Sequence, residues 1–270
     1  MHLSDIVRLA LEEDVGHGDV TTNSCVVNNS AATARIIAKQ ELVVSGHPVA
    51  EEVFLQVGAT YEAVVPEGDH VQPGTVVARV QGPKRSLLTG ERLALNFLMK
   101  LCGIATHTAR TIERAGGLKV VDTRKTTPLL RYWERRSVRL GGGGNHRFAL
   151  YDGVLIKNNH ITAAGGLSAA VENARKVIHH LLKIEVEVDD LQQLEEALAC
   201  GVDAILLDNM SNELLRKAVV ITNGRAILEA SGNMNAERLE TLQGIGIDVV
   251  SMGGLIHQAT WSDLSMRMDS

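Results

Sequence analysis

The chain has 270 residues, of which 45% are hydrophobic and 22% charged, and its net charge is −5. That composition supplies a sizeable core and excludes a disordered chain. The acidic balance and the 3% aromatic content exclude a general nucleic-acid binder or a base-stacking platform. No apolar run approaches the roughly 18 residues of a membrane span, and the opening residues lack the basic and apolar regions of a secretion signal. Cys25, Cys102 and Cys200 lie far apart with no CxxC pair. The expectation is free thiols in a reducing cytoplasm, without a structural zinc.

Taken in chain order, the first half opens on an amphipathic helix signal at Ile6, Val7, Leu9, Ala10 and Leu11. Strand-like stretches follow at Ala34–Ala38, Leu42–Val44, Ala63–Val65 and Val76–Val80. The turn signals between them include Pro66–Asp69 and Gln72–Gly74. The Pro66–Gly74 segment has the look of half a carrier-domain hairpin. It lacks the lysine such a tip needs, since Lys84 lies beyond the strand, so a structural hairpin is predicted. From Leu87 to about Ala115 the pattern is helical, with a break predicted at Gly103.

The second half repeats one grammar: a short apolar run, a polar or small strand end, then helix-forming sequence. The runs are Leu118–Val121, Val154–Ile156, Ile184–Val188, Ala204–Leu207, Ala226–Leu228 and Val249–Val250. Helices are predicted over Ser168–His180, Asp190–Cys200, Asn212–Thr222 and Asn235–Gly244. Alternating strands and helices point to an α/β fold, either a barrel lacking part of its circumference or an open doubly wound sheet. In both, residues just after the strands share one rim, where ligands bind.

Those rim residues have a chemical character. Between Asp122 and Lys157 there are eight Lys+Arg and only three Asp+Glu, in an acidic protein. Arg131, Arg135, Arg136 and Arg139 fit a solvated helical face. Arg124, Lys125, Arg147 and Lys157 instead abut strand ends and glycines, where clustered cations call for a small polyanionic ligand. The run Gly141–Gly144 matches neither phosphate-loop motif. It reads as a flexible loop or as a bend that brings His146 and Arg147 inward. Alternation puts Glu185 and Glu187 on one strand face, and Asp208 ends the next strand. Glu187 with Asp208 can hold Mg²⁺, or the carboxylates can pair with the nearby cations. Ser231-Gly232 and Gly253-Gly254 end the last two strands as a phosphate cradle or as tight turns. Together these features point to an Mg²⁺-dependent transfer between a phosphorylated donor and an acidic acceptor. A Schiff-base aldolase centred on Lys157 is the competing enzyme class.

The ordered strings Gly18–Thr22 (GDVTT), Glu91–Leu98 (ERLALNFL), Gly103–Thr106 (GIAT), Asp122–Pro128 (DTRKTTP), Gly142–Arg147 (GGGNHR), Leu155–His160 (LIKNNH), Glu185–Glu187 (EVE), Leu207–Asn209 (LDN), Leu228–Gly232 (LEASG) and Asp263–Arg267 (DLSMR) resemble the quinolinate phosphoribosyltransferase family over nearly the whole chain. The resemblance implies an incomplete, seven-stranded α/β barrel over residues 118–257. It also implies an N-terminal α/β sandwich domain over 1–117, joined by 258–270. It implies a homodimer, with a hexamer as the larger alternative, and a shared active site that receives Arg92 from the partner. The implied reaction joins quinolinate and phosphoribosyl pyrophosphate to give nicotinate mononucleotide, pyrophosphate and CO₂.

Carried over, quinolinate meets Arg124, Lys125, His146, Arg147 and Lys157, and Mg²⁺ and the donor meet Glu187 and Asp208. Lys125, Lys157, Glu187 and Asp208 form the catalytic set. Ser231, Gly232, Gly253 and Gly254 cradle the 5-phosphate, and Asn158 and His160 stand either behind the ligand-contacting residues or on the donor side. The chain departs from many members at Leu129, where they carry Gly, and over Glu134–Val138. A paralogous branch associated with molybdenum transport shares much of the pattern, but Asn145-His146-Arg147 favours the quinolinate branch.

Overall fold

The computed structural model describes residues 2–269. In chain order the elements are α1 (Leu3–Val15), α2 (Val20–Cys25), β1 (Ala31–Ala38), β2 (Leu42–Val43), α3 (His47–Gln56), β3 (Thr60–Ala63), β4 (His70–Val71), β5 (Val76–Pro83) and α4 (Lys84–Arg114). Then come β6 (Val120–Val121), α5 (Arg131–Leu140), β7 (Val154–Ile156), α6 (Asn158–Ala164), α7 (Leu167–Val177), β8 (Ile184–Val188) and α8 (Leu191–Ala199). The chain closes with β9 (Ala204–Asp208), α9 (Asn212–Thr222), β10 (Ile227–Ser231), α10 (Ala236–Leu242), β11 (Val249–Ser251), α11 (Gly254–His257) and β12 (Leu264–Met268).

Two compact units result. The first comprises residues 1–109, 127–142 and 259–270. Its antiparallel sheet runs β12-β1-β5-β3, and its core gathers Phe54, Ile36, Leu42, Leu87, Leu95, Leu98 and Leu101. The predicted strand at Ala63–Val65 lies earlier, as β3, although Val64 and Val65 still donate to the Val77 carbonyl. The hairpin around Pro66–Gly74 is structural, because Glu67 accepts from the amides of Gly46 and His47 at 2.6 and 3.1 Å.

Three sequence expectations are corrected in this unit. Helix α4 does not break at Gly103. The missing side chain there instead lets the Thr260 carbonyl approach, and a Cβ would collide with it. The domain cut at 117/118 is displaced, because residues 110–126 belong to the second unit and 127–142 return to the first. The physical reason is α5, where Arg139 is exposed as expected but the rest of the helix is not a solvated face. Glu134 is fully buried with Lys100 Nζ 3.2 Å away, Arg135 is buried, Arg136 pairs with Glu67, and Ser137 Oγ lies 2.8 Å from Ser45 Oγ. A helix with that many buried polar groups must pack where their partners are.

The second unit, residues 110–126 and 143–258, carries a six-stranded parallel sheet of order β6-β11-β10-β9-β8-β7. In β8 the alternation IEVEV buries Ile184, Val186 and Val188 on one face and leaves Glu185 and Glu187 on the other. Capping residues define the helices that follow the strands. Asp190, Ser211 and Asn235 accept from the amides of Gln193, Leu214 and Arg238. The glycine run is a bend. Gly144 bridges to Val121, its amide donating to Val120 O at 2.8 Å, and this carries the next residues along the β6 edge. The helix boundaries predicted from sequence stand within about three residues, and Asn212–Thr222 is matched end to end. No helix among the described residues is long and apolar enough to cross a membrane.

Candidate active site

All six strands of the parallel sheet end at one rim, and a cavity of about 620 Å³ opens there. Its lining includes Arg124 and Lys125 after β6, His146 and Arg147 after the glycine bend, Lys157 after β7, Glu187 on β8 and Asp208 on β9. Ser231 and Gly232 at the end of β10, and Gly253 and Gly254 after β11, complete it. The sequence-derived rim residues therefore meet in one place.

The cations are held in different ways. Lys157 Nζ donates to Glu187 Oε2 at 2.6 Å. Arg147 Nη1 donates to the Gly153 carbonyl at 2.8 Å. Partial burial and then the charge of Arg124 hold the Arg147 guanidinium below its ordinary pKa. That mutual repulsion is what an incoming anion relieves. On the acidic side, the register pairs Glu187 with Leu206, so alternation sets Asp208 on the same sheet face one step nearer the rim. Asn209 Nδ2 donates to Asp208 Oδ2 at 2.7 Å, and Asn233 Nδ2 to Asn209 Oδ1 at 3.0 Å. Both asparagines have positive φ, the left-handed conformation that Asn tolerates better than most residues. Gly232 must be glycine here, since a Cβ would meet the Asn209 side chain. At Gly253 a Cβ would stand 2.8 Å from Lys125 Cδ.

Deeper in the site, Asp122 is fully buried and accepts from Asn145 Nδ2 and from the His146 amide. His146 Nε2 lies 3.1 Å from Glu185 Oε2 and 3.3 Å from Glu229 Oε2. Burial works against charge on this ring, while the hydrogen bonds and charges of Glu185 and Glu229 hold a proton on Nε2. Glu185 itself is moved up, first by burial. The Arg147 amide donates to His146 Nδ1 at 2.7 Å, which requires that nitrogen bare. The ring proton accordingly sits on Nε2, facing the two carboxylates.

Three predicted residues lie outside the cavity lining. His160 Nδ1 accepts from the Lys157 amide at 2.9 Å and caps α6, while Asn158 Nδ2 donates to Asp189 at 2.8 Å. Both brace the strand end that presents Lys157. Arg92 is exposed on α4 in the first unit. Conversely, Glu229, Asn209 and Asn233 line the cavity without having been singled out. Glu229 was within reach, because it stands two residues before Ser231 in a strand and so shares its face. The asparagine relay depends on backbone conformation, for which the sequence carries no spacing signal.

Comparison with known proteins follows the same lines. The profile of the C-terminal domain of quinolinate phosphoribosyl transferase matches residues 104–267, and that of its N-terminal domain matches residues 19–102. A Bacillus subtilis (strain 168) protein named "Probable nicotinate-nucleotide pyrophosphorylase, carboxylating" is 39% identical over 98% of this chain and 93% of its own. A Nicotiana tabacum protein named "Quinolinate phosphoribosyltransferase, decarboxylating, 1b" is 35% identical over 99% of this chain and 83% of its own. The crystal structure of NadC from Streptococcus pyogenes superposes with a TM-score of 0.94 at 41% identity, covering 99% of this chain and 96% of that one. The chain belongs to the quinolinate phosphoribosyltransferase family.

Proposed function

We propose that this protein transfers the phosphoribosyl group of phosphoribosyl pyrophosphate to quinolinate, releasing pyrophosphate and CO₂ and forming nicotinate mononucleotide for NAD biosynthesis. The observation that carries the reading is the convergence of Arg124, Lys125, Arg147 and Lys157 on one cavity that also holds Glu187, Asp208 and two glycine-bearing strand ends. Quinolinate brings two carboxylates, and guanidinium forks and ammonium groups neutralise and orient them. Ser231, Gly232, Gly253 and Gly254 leave room for the 5-phosphate to approach the backbone.

Glu187 and Asp208 offer hard oxygen donors on neighbouring strands facing the cavity, a set that suits Mg²⁺. Bound there, the ion supplies charge stabilisation to the departing pyrophosphate. The cations fix the acceptor so that its ring nitrogen faces the anomeric carbon. Once that nitrogen carries the ribose it is positive, the C2 carboxylate leaves as CO₂, and the electron pair left at C2 takes a proton. Lys125 and Lys157 are the lysines lining the cavity that can deliver it.

The same reading makes the sheet part of an incomplete, seven-stranded barrel. Six strands laid flat would separate β6 from β7 by about 24 Å at the usual strand spacing. Arg124 and Lys157, which follow those two edge strands, nevertheless line one cavity. The Val121–Gly144 bridge stands where a seventh strand would run. We further propose a homodimer, or a hexamer built from it, in which an exposed Arg92 serves the site of another copy. Free Cys25, Cys102 and Cys200 suit a reducing cytoplasm. The Lys157–Glu187 ion pair disfavours an aldolase, whose Schiff base needs a neutral amine.

The test is incubation with quinolinate, phosphoribosyl pyrophosphate and Mg²⁺, with nicotinate as the control acceptor. Nicotinate mononucleotide from quinolinate alone is the expected product. Product from nicotinate but not quinolinate overturns the assignment.

A further inference from the structure

The string Asn145-His146-Arg147 puts a histidine in the cavity wall, where a substrate contact is the obvious role. The hydrogen bonding argues otherwise. Nε2 faces both Glu185 on β8 and Glu229 on β10, so the two carboxylates converge on it over the intervening strand β9. Nδ1 accepts the amide of Arg147, and the His146 amide is itself tied to buried Asp122. Both ring nitrogens are thus committed to the protein. The side chains of His146, Glu185 and Glu229 are 15%, 13% and 6% exposed, so these bonds form where water competes poorly. β9 contributes only Ala204 and Leu206 at this level, in register with Glu185 and Glu229, and offers the ring no polar alternative.

We propose that His146 is a positioning residue, not a substrate ligand. Clamped by Glu185 and Glu229, it holds the Arg147 backbone so that the Arg147 guanidinium meets the acceptor carboxylate. The proposal rests on the quinolinate reading for the identity of the acceptor, but the clamp is a property of the ligand-free protein. Glu229 and Glu185 thereby become determinants of acceptor binding without touching the acceptor. The donor, held by Glu187, Asp208 and the Ser231-Gly232 and Gly253-Gly254 ends one step nearer the rim, makes no contact with the clamp in this reading.

Two measurements test this. The first is ¹⁵N NMR of the histidine rings in the intact protein, with and without quinolinate. A bare Nδ1 and a protonated Nε2 on His146, unchanged when quinolinate binds, are expected. A protonated Nδ1, or a ring signal that moves as a new hydrogen bond to quinolinate forms, overturns the proposal. The second is steady-state kinetics of His146→Gln, Glu229→Gln and the double variant. Each single change is expected to raise the quinolinate KM about tenfold, the scale of one charge-assisted hydrogen bond, with the donor KM within about twofold. The double variant should be no worse than His146→Gln alone, because both act through one clamp. Multiplying effects, or an equal rise in donor KM, contradict it. If the unaltered protein makes no nicotinate mononucleotide, the function assignment fails, while the ring tautomer is still decided by NMR.

Discussion

Lys157 and Glu187 form a 2.6 Å ion pair between the end of β7 and the neighbouring strand β8, inside the cavity that gathers the other cations. The pair sets where the ammonium rests before substrates arrive. Replacing Glu187 by Gln removes both that restraint and a hard oxygen charge. The expected result is a loss of kcat of about 10²-fold, the scale of one preorganised electrostatic group, with a raised Mg²⁺ requirement. Metal titration of initial rates checks it, and an unchanged Mg²⁺ dependence would make Glu187 merely structural.

In the proposed reaction Arg147 meets the acceptor directly. Arg147→Ala should weaken quinolinate binding by about 2–3 kcal/mol, or roughly 30- to 160-fold in Kd. Arg147→Lys should recover only part of this, since the ammonium lacks the planar fork. Calorimetric titration with quinolinate reads the difference, and the thermal midpoint should stay close to that of the unaltered protein.

Leu129 sits at φ +68° with 59% of its surface exposed. A leucine strains there and gains little from burial. Leu129→Gly should stabilise the fold by up to about 1 kcal/mol, as relief of left-handed strain outweighs the added chain entropy. A chemical denaturation midpoint that rises without a change in slope is the expected observation.

These cases mark what was legible in the sequence. The parallel strands and their helices were visible because apolar runs, polar strand ends and caps such as Ser211 recur in order. Arg124, Lys125, Arg147 and Lys157 were visible because charge next to a strand end is unusual. Arg135 and Arg136 depart from the solvated-face expectation because a helix rich in charge looks alike whether it faces water or buried partners, and only tertiary contacts decide. Gly103 misled for a related reason, since a glycine that admits a neighbouring carbonyl and one that breaks a helix are the same letter.

The Lys100–Glu134 pair, buried at its acidic end, gives a stability prediction. Glu134 is fully buried and also accepts the Thr127 amide at 2.8 Å. Lys100→Met leaves that carboxylate without its cation and should cost about 3 kcal/mol. Glu134→Gln should cost less, because it removes the buried charge while keeping the shape. Denaturation of the two variants side by side separates these outcomes.

His47 supplies a pH dependence. Burial holds its pKa below the usual histidine value, while Nδ1 meets Tyr61 OH at 2.6 Å and Nε2 the Val65 carbonyl at 2.8 Å. A group whose folded pKa is depressed contributes stability above its unfolded pKa of about 6.5 and loses it as pH falls through the folded value. The protein should therefore weaken on acidification below about pH 6.5. His47→Gln should flatten that part of the stability curve, measured by denaturant titration at stepped pH.

The central claim is that the cation cluster grips a dicarboxylic heterocycle. Calorimetric titration of the intact protein with quinolinate and with nicotinate tests it most directly. The account predicts that quinolinate binds at least about tenfold more tightly, since its second carboxylate adds a charge-assisted contact. Equal affinity for the two acids, or an affinity for quinolinate unmoved when Arg124 and Arg147 are both replaced by alanine, would contradict it.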